Sequence, residues 1–353
     1  IRQSRDPCAS SRLEVHGSIG PAKLERPMTL FPAFQLMSLV MALLSARALG
    51  RAWRIRHRLF AEPLEPGQLG VLVELALFVV VPVSVLLHEA GHAVAVWLAG
   101  GQVTGFGYLL FLGWVEYAGV TDARAQFWIT LSGNLVSVGL GVAALVAGLF
   151  APLRRSVNAL LLATGGLVLA TSLVFYPVLD VATGLQGDWV QLYSAGWPYA
   201  AVLGLVHGAV LLAGVGLWRS RWLRWQVSER IGLPWRLDER DRRALVWRQL
   251  AAAAEQLQAA EPTLSLTVEL QAGAPQLALR WHRADGQRVL VTRIGERPDV
   301  IEALALAGEP PAVRASWRAL VPEQALFQRP SPLVTLLERL RSAADALPSP
   351  EEV

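Results

Sequence analysis

The segment 88–92, His-Glu-Ala-Gly-His, has the residue types and the spacing of a metal-dependent hydrolytic site. Residues four apart on a helix lie on one face, so both imidazoles point the same way. Two neutral imidazoles form half of a Zn²⁺ site, and Glu89 is placed to take a proton from a water molecule there. The segment predicts a zinc centre with His88 and His92 as ligands and Glu89 as general base.

The apolar surroundings of this segment strengthen the prediction. The segment lies within 71–99, a stretch that is long enough to cross a membrane. Ionisable side chains in hydrocarbon are costly unless they pair with each other, with a metal or with water. A chance match would compete seriously in a soluble helix, but an intramembrane cluster of this kind indicates a functional site.

The composition excludes several classes of protein. The chain has 353 residues, of which 53% are hydrophobic and 17% charged, and this is too apolar for a soluble protein. Its arginine clusters flank apolar segments, so membrane topology explains them better than nucleic-acid binding does. The single cysteine, Cys8, excludes an intramolecular disulfide and any cysteine-rich metal site.

Five segments are predicted to cross the membrane: 28–46, 71–99, 126–150, 156–179 and 196–218. The expected fold is an all-α polytopic membrane domain, residues 28–218, followed by a small soluble α/β domain, residues 219–353. The polar residues 1–27 precede Met28, the first methionine, and we expect a disordered tail or upstream sequence there.

The arginines predict an orientation. They lie between the first and second spans, between the third and fourth, and after the fifth, on one side of the membrane: Arg51, Arg54, Arg56, Arg58, Arg154, Arg155, Arg219, Arg221 and Arg224. The positive-inside tendency makes that side cytoplasmic, together with the C-terminal domain. The connections 101–125 and 180–195 then face outward, near the end of the helix that carries the histidines.

The connection between the second and third predicted spans has a recognisable pattern. Residues 101–120 alternate glycine with aromatic and apolar residues, which predicts a re-entrant hairpin beside the site or a surface loop.

In the C-terminal domain we expect strands at 263–270, 276–282 and 288–294, with a turn at 284–287. Helices are expected at 243–260, 299–307 and 332–346. No catalytic constellation is evident in this domain.

A catalytic zinc site uses three protein ligands and one open position. The polar candidates for the third ligand are Asp180, Asp188, Glu116, Asp122 and His207. Gly204 and Gly208 favour close helix packing around His207, so we expect this histidine to be neutral and bonded to a backbone carbonyl. Glu74 is expected to pair with a basic residue of the 51–58 cluster.

Three blocks of the chain resemble the site-2-protease family of intramembrane zinc metalloproteases: 88–101 (HEAGHAVAVWLAGG), 131–135 (LSGNL) and 176–189 (YPVLDVATGLQGDW). The first is similar to the family's active-site helix. The second is similar to its Ala/Gly-Gly-Pro-x-x-Asn motif, without the proline and with shortened spacing. The third occupies the place of the segment that supplies the aspartate ligand. The likeness covers roughly residues 70–218.

The resemblance implies roles for individual residues. His88 and His92 bind zinc, Glu89 is the general base, and Asn134 steadies the scissile backbone or the oxyanion; an interhelical hydrogen bond is the alternative role for Asn134. Asp188, in Gly-Asp-Trp, resembles the third ligand of a divergent branch of the family. Asp180 is the alternative ligand, and the aspartate that does not bind metal is expected to be a helix cap or a solvated loop residue.

The function that these features predict is an intramembrane zinc endopeptidase of the cell membrane. Its substrates would be transmembrane or membrane-proximal segments that can unwind, because a helix hides its carbonyls from attack. The lipid bilayer and a membrane-protein substrate are the expected partners, together with a regulatory partner of the C-terminal domain. The alternative is a non-proteolytic metal-binding membrane protein or transporter, which needs no general base at Glu89.

Overall fold

The computed structural model describes residues 31–271, 274–283, 286–307, 312–321 and 332–348. The predicted tail 1–27 and part of the predicted turn 284–287 lie outside these residues. The N-terminal part is helical, with one β-hairpin. Its elements are α1 (Phe31–Arg54), α2 (Pro66–Leu75), α3 (Val81–Leu98), β1 (Gln102–Tyr108), β2 (Gly113–Ala118), α4 (Ala123–Phe150), α5 (Arg155–Ala170), α6 (Tyr176–Thr183), α7 (Asp188–Tyr193) and α8 (Tyr199–Arg219).

Among the described residues, five helical segments are long and apolar enough to cross a membrane: Gln35–Arg54, Pro66–Leu98, Ala123–Phe150, Arg155–Thr183 and Tyr199–Arg219. These coincide with the five predicted spans, although the first helix continues past residue 46 to its terminal arginines. The predicted pairing of Glu74 is confirmed, because its carboxylate forms an ion pair with Arg51 of α1.

Two of the five segments contain a π-helical turn. Ala76–Val80 joins α2 to α3, and Thr171–Phe175 joins α5 to α6. Each turn is followed by a proline, Pro82 or Pro177, which has no N–H for the carbonyl four residues earlier. Those carbonyls instead accept hydrogen bonds from other helices: Phe78 O from Ser45 Oγ of α1, and Leu173 O from His207 Nε2 of α8.

Strands β1 and β2 form an antiparallel hairpin, as the glycine and aromatic alternation predicts. The hydroxyl of Tyr108 donates to Pro82 O in α3 at 2.7 Å. At the turn, Leu109 O accepts from Ser38 of α1 at 2.7 Å, and Phe111 O accepts from Tyr176 of α6 at 2.6 Å. The hairpin is therefore fixed to three helices and lies against the helix that carries the histidines.

After α8 come α9 (Arg221–Ile231) and α10 (Glu239–Ala260). Val227 and Ile231 of α9 share a core with Leu149 of α4 and Ala159 of α5, so α9 packs with the apolar helices. Asp241, at the start of α10, is completely buried and binds Arg221 of α9. This contact ties α10, which begins the C-terminal domain, to the helical domain.

In its described residues, the C-terminal domain is a five-stranded sheet with α10 and α11 (Pro332–Asp345) packed on it. Its strands are β3 (Ser265–Gln271), β4 (Ala274–Arg283), β5 (Gly286–Ile294), β6 (Val300–Ala307) and β7 (Ala312–Leu320). They follow one another in sequence order, each antiparallel to the next. The domain thus combines helices and strands, as expected from the sequence, and its sheet is antiparallel.

The helix predicted at 299–307 is wrong, because this segment is strand β6. Its leucine, alanine and glutamate residues favour a helix locally. However, Ile301, Ala303, Ala305 and Ala307 alternate with less buried residues, and the strand pairs with β5 on one side and β7 on the other. Burial of one face and pairing at both edges outweighed helix propensity. Strand β7 was not predicted, whereas the helices expected at 243–260 and 332–346 are confirmed.

Candidate metal centre

Three potential ligand atoms converge between α3 and α7. Asp188 Oδ2 lies 2.9 Å from His88 Nε2 and 3.0 Å from His92 Nε2, and the two imidazole nitrogens are 3.0 Å apart. The histidines lie on one face of α3, as their spacing predicts, and Asp188 begins α7 almost 100 residues later. These three residues form a group that can hold a metal ion.

Helix α4 orients both imidazole rings. His92 Nδ1 lies 2.7 Å from Ile129 O, and because a carbonyl only accepts hydrogen bonds, Nδ1 carries the hydrogen. His88 Nδ1 lies 3.1 Å from Ser137 Oγ, which can accept its hydrogen. In the neutral rings the lone pairs are then on the Nε2 atoms, which face the site, as they do in metal-binding histidines held by a second partner.

The chemistry of the donors fits a cation. Two Nε2 lone pairs and one carboxylate oxygen face the same point, so only a metal ion or an added proton satisfies all three. Burial raises the pKa of Asp188, but when an added proton makes the imidazoles of His88 and His92 donors, their hydrogen bonds and charges outweigh burial and hold that pKa below its ordinary value. With a proton in the group, Asp188 is therefore a carboxylate.

Glu89 lies in the same cavity as this group. Only 5% of the residue is exposed, yet its carboxylate has no hydrogen-bond or ion-pair partner among the described residues. A buried carboxylate without a partner is costly. Gly113 of β2 packs directly on it, since a Cβ at that position would lie 2.6 Å from Glu89 Oε1. The hairpin thus covers Glu89 with backbone only, and leaves its carboxylate facing the cavity.

Asn134 connects the group to a neighbouring helix. It is 4% exposed, and its Nδ2 donates to Asp188 Oδ2 at 3.3 Å. Its Oδ1 accepts from Ser172 Oγ at 3.4 Å. The structure therefore places Asn134 beside the ligand group and in an interhelical hydrogen bond, the alternative role considered from the sequence. Its part in steadying the scissile backbone or the oxyanion stays a prediction.

The structure does not bring Asp180 into the ligand group. Its Oδ2 accepts a hydrogen bond from the backbone N–H of Trp189 at 3.3 Å, so it caps the first turn of α7 from α6. Gly187 is needed for this approach, because a Cβ there would overlap the Asp180 carboxylate. Asp180 thus caps a helix, which is one of the two roles expected for the aspartate that does not bind metal.

The other candidates for the third ligand lie elsewhere. Asp122 caps α4 through Ala125 N at 2.9 Å, and Glu116 lies opposite Gly105 in the hairpin. His207 Nε2 lies 2.8 Å from Leu173 O, which confirms the predicted bond to a backbone carbonyl. None of the three belongs to the ligand group formed by the described residues.

Two glycines allow α4 to approach α3 at the site. A Cβ at Gly133 would lie 2.6 Å from His92 Cε1 and 2.7 Å from His88 Nε2. A Cβ at Gly91 would lie 3.2 Å from Ser132 O and 3.3 Å from Gly133 Cα. Small residues permit such close helix contacts in apolar surroundings. The backbone of α4 therefore forms one wall of the centre.

The site opens into a cavity of about 220 Å³. Its lining combines polar residues with apolar ones, and the apolar ones include residues of the hairpin. Its polar lining includes Ser84, Asn134, Ser137, Thr171, Ser172 and Gln191, and its apolar lining includes Val85, Phe111, Leu112, Trp114, Val115 and Val168. A cavity of this size with polar groups in its lining can hold water beside the ligand group.

The sequence interpretation missed the residues that orient the ligands. Ser137 was detectable, because it lies three residues after Asn134 and so on the same helix face. The carbonyl of Ile129 had no signal, since every residue carries one. Trp189 and Tyr193 were also missed, and their contacts depend on how α7 packs against α8.

Comparisons of the chain with protein-family models, with curated proteins and with solved structures gave no match. The likeness of its three blocks to the site-2-protease family therefore stays a prediction. The conclusions on function rest on the geometry of the site itself.

Proposed function

We propose that this chain is an intramembrane zinc metalloendopeptidase that cleaves transmembrane or membrane-proximal segments of other proteins. One observation carries the proposal. Glu89, a buried carboxylate without a partner among the described residues, lies beside the His88, His92 and Asp188 group in one cavity. Metal ligands with an adjacent free carboxylate are the arrangement that metal-dependent hydrolysis of a peptide bond uses.

Two imidazoles and one carboxylate are a ligand set typical of catalytic zinc, with the fourth position left for water or substrate. When bound there, zinc supplies a Lewis acid that polarises a carbonyl and makes a nearby water molecule more acidic. His88, His92 and Asp188 would hold the ion. Ser137, Ile129 and Asn134 would keep these ligands in their orientation.

Glu89 acts as the general base in this proposal. Its carboxylate accepts a proton from the attacking water and then delivers that proton to the amine that leaves. Gly113 keeps the space beside Glu89 free of side chains, so that the scissile bond can approach. The substrate segment must be unwound, because in a helix its carbonyls are occupied and covered.

The five apolar helices support a multi-pass protein of the cell membrane. We assign the side with the arginine clusters to the cytoplasm, following the positive-inside tendency. The C-terminal sheet domain is then cytoplasmic, where it would dock the substrate or a regulatory partner. A structural or transport metal site needs no general base, so Glu89 favours the peptidase over a metal-handling protein.

The proposal is tested on protein purified in detergent and reconstituted with a panel of single-span membrane proteins. We expect about one zinc per chain in the wild type and in Glu89→Gln, and loss of zinc in His88→Ala. General acid–base catalysis contributes about 10²- to 10⁴-fold, so Glu89→Gln should slow cleavage by that factor.

Cleavage by Glu89→Gln at the wild-type rate would refute the role of Glu89. Zinc binding by a wild type that cleaves no member of the panel would favour the non-proteolytic alternative. Loss of cleavage with retention of zinc in Glu89→Gln is the outcome that supports the enzyme.

A further inference from the structure

Two consecutive carbonyls at the junction of α5 and α6 bond to side chains rather than to their own helix. In the π-helical turn the N–H of Tyr176 bonds to Thr171 O rather than to Ser172 O. Pro177 has no N–H to give to Leu173 O. Ser172 O accepts from Trp189 Nε1 at 2.9 Å, and Leu173 O accepts from His207 Nε2 at 2.8 Å.

These two donors are in contact with each other. The rings of Trp189 and His207 are stacked, with centroids 4.4 Å apart and planes inclined by 25°. Tyr193, four residues after Trp189 on the same face of α7, places its hydroxyl on His207 Nδ1. One histidine on α8 therefore contacts both ends of α7 and also the junction of α5 and α6.

The hydrogen bonds of His207 define its tautomer. A carbonyl only accepts, so Nε2 carries the hydrogen that is donated to Leu173 O. Nδ1 then accepts the hydrogen of the Tyr193 hydroxyl. Both nitrogens are satisfied in the neutral ring, and only 8% of the residue is exposed.

Helix α7 depends on such contacts for its position. It has six residues, which is too short to be stable alone. Its first residue is Asp188, the carboxylate of the metal centre, and its second is Trp189. Displacement of Trp189 would therefore move Asp188 Oδ2 relative to the two imidazoles, which α4 holds independently.

We infer that His207 is a positioning residue of the metal centre. It holds Trp189 by stacking and Tyr193 by a hydrogen bond, and through them it fixes Asp188 against His88 and His92. The inference rests on the metal centre of the proposed function, and it concerns metal affinity and geometry rather than cleavage. His207 contacts neither the ligands nor the cavity in which they lie.

The test compares four variants of the full-length protein in detergent. His207→Phe keeps a ring to stack on Trp189 and loses both hydrogen bonds. His207→Gln has an amide N–H that can still reach Leu173 O, and Tyr193→Phe loses only the hydroxyl. Ser45→Ala is the matched control, because it removes a side-chain bond to the carbonyl that Pro82 leaves free, away from α7.

Zinc affinity is measured by competition with a chromogenic chelator, and ligand geometry by the visible absorption of the Co²⁺-loaded protein. Loss of a group that orients metal ligands lowers affinity by about 10- to 100-fold. We expect that loss, with an altered Co²⁺ spectrum, in His207→Phe. Tyr193→Phe should show a smaller loss, His207→Gln should recover part of it, and Ser45→Ala should match the wild type.

Wild-type affinity and an unchanged Co²⁺ spectrum in His207→Phe would overturn the inference. An equal loss in Ser45→Ala would also overturn it, because the effect would then be general loosening. If His207→Phe does not fold, wild-type values in both Tyr193→Phe and His207→Gln overturn the inference. A wild type that binds zinc but cleaves nothing would refute the peptidase and leave this result standing.

Discussion

Gly133 of α4 lies directly against the ring of His92, because a Cβ on Gly133 would be 2.6 Å from His92 Cε1. Any side chain at this position must push the imidazoles away from Asp188. The backbone of α4 therefore limits where both histidines can lie. The same helix supplies Ser137 and Ile129 O, which hold the far nitrogens of the two rings.

Gly133→Ala is predicted to lower zinc affinity by about 10- to 100-fold, the range found when ligand orientation is lost. Gly139→Ala, in the same helix with no heavy atom near its Cβ, is the control. It should bind zinc normally and stabilise the helix by up to about 1 kcal/mol. Chelator competition and thermal unfolding measure the two effects. Equal affinities in both variants would contradict the steric role of Gly133.

Gly113→Ala is predicted to impair cleavage more than metal binding. The added methyl group would occupy the space of the Glu89 carboxylate and turn it away from the cavity. Zinc content should stay at one per chain, while the cleavage rate falls by at least about tenfold, part of the general-base contribution. Gly166→Ala, which has open space around it, should change neither. A Gly113→Ala protein that loses zinc would show that the hairpin supports the ligands instead.

Asp188 and Asp180 are predicted to respond differently to substitution. Asp188→Ala should lose zinc, because it removes a donor of the ligand group. Asp180→Asn should keep zinc, since an amide oxygen can still accept the N–H of Trp189. Asp180→Ala should cost about 0.5–2 kcal/mol of stability, the usual effect of losing a helix cap. Metal content and unfolding are the measurements, and zinc loss in Asp180→Asn alone would reverse the assignment.

Removal of the metal is predicted to destabilise the wild type. A ligand present at 100 times its Kd stabilises the native state by about 2.7 kcal/mol. A strong chelator should therefore lower the thermal unfolding midpoint of the wild type and leave that of His88→Ala unchanged. The same shift in both proteins would mean that the chelator acts elsewhere.

Asp241→Ala is predicted to loosen the attachment of the C-terminal domain. The buried Asp241 carboxylate bonds to Arg221 and Arg224 of α9. Hydrogen bonds to charged groups contribute about 1.5–3 kcal/mol, so amides in the first turns of α10 should exchange hydrogen faster. Glu239→Ala removes only an exposed ion pair with Arg243 and should change little. Unchanged exchange in Asp241→Ala would contradict this role.

The features that were predicted best from the sequence are those with strong local patterns. Apolar length predicted the five helices, and i,i+4 spacing predicted that His88 and His92 face one way. Glu74 was expected to pair with a basic residue of the 51–58 cluster, and the structure shows that its partner is Arg51. Each of these inferences used one segment, or two segments that are close in the sequence.

Features that depend on distant packing could not be predicted in the same way. Residues 299–307 have the composition of a helix, and only pairing with β5 and β7 makes them a strand. The choice between Asp180 and Asp188 was open, because both lie close to the site and one of them caps α7. The contact of His207 with Trp189 had no signal in sequence, since it requires α7 and α8 to meet.

Pro82 and Pro177 each add a directional contact between helices of this protein. Lipid tails are as apolar as leucine, so in a bilayer the burial of apolar side chains does not favour one partner helix over another. Each proline leaves one carbonyl oxygen of its helix free to accept a hydrogen bond. Ser45 donates to the oxygen freed by Pro82, and His207 donates to the oxygen freed by Pro177. A chain with both prolines replaced by leucine would keep its apolar length and its hydropathy. It would lose the two free carbonyl oxygens, and with them the hydrogen bonds that position α1 and α8 along their neighbouring helices.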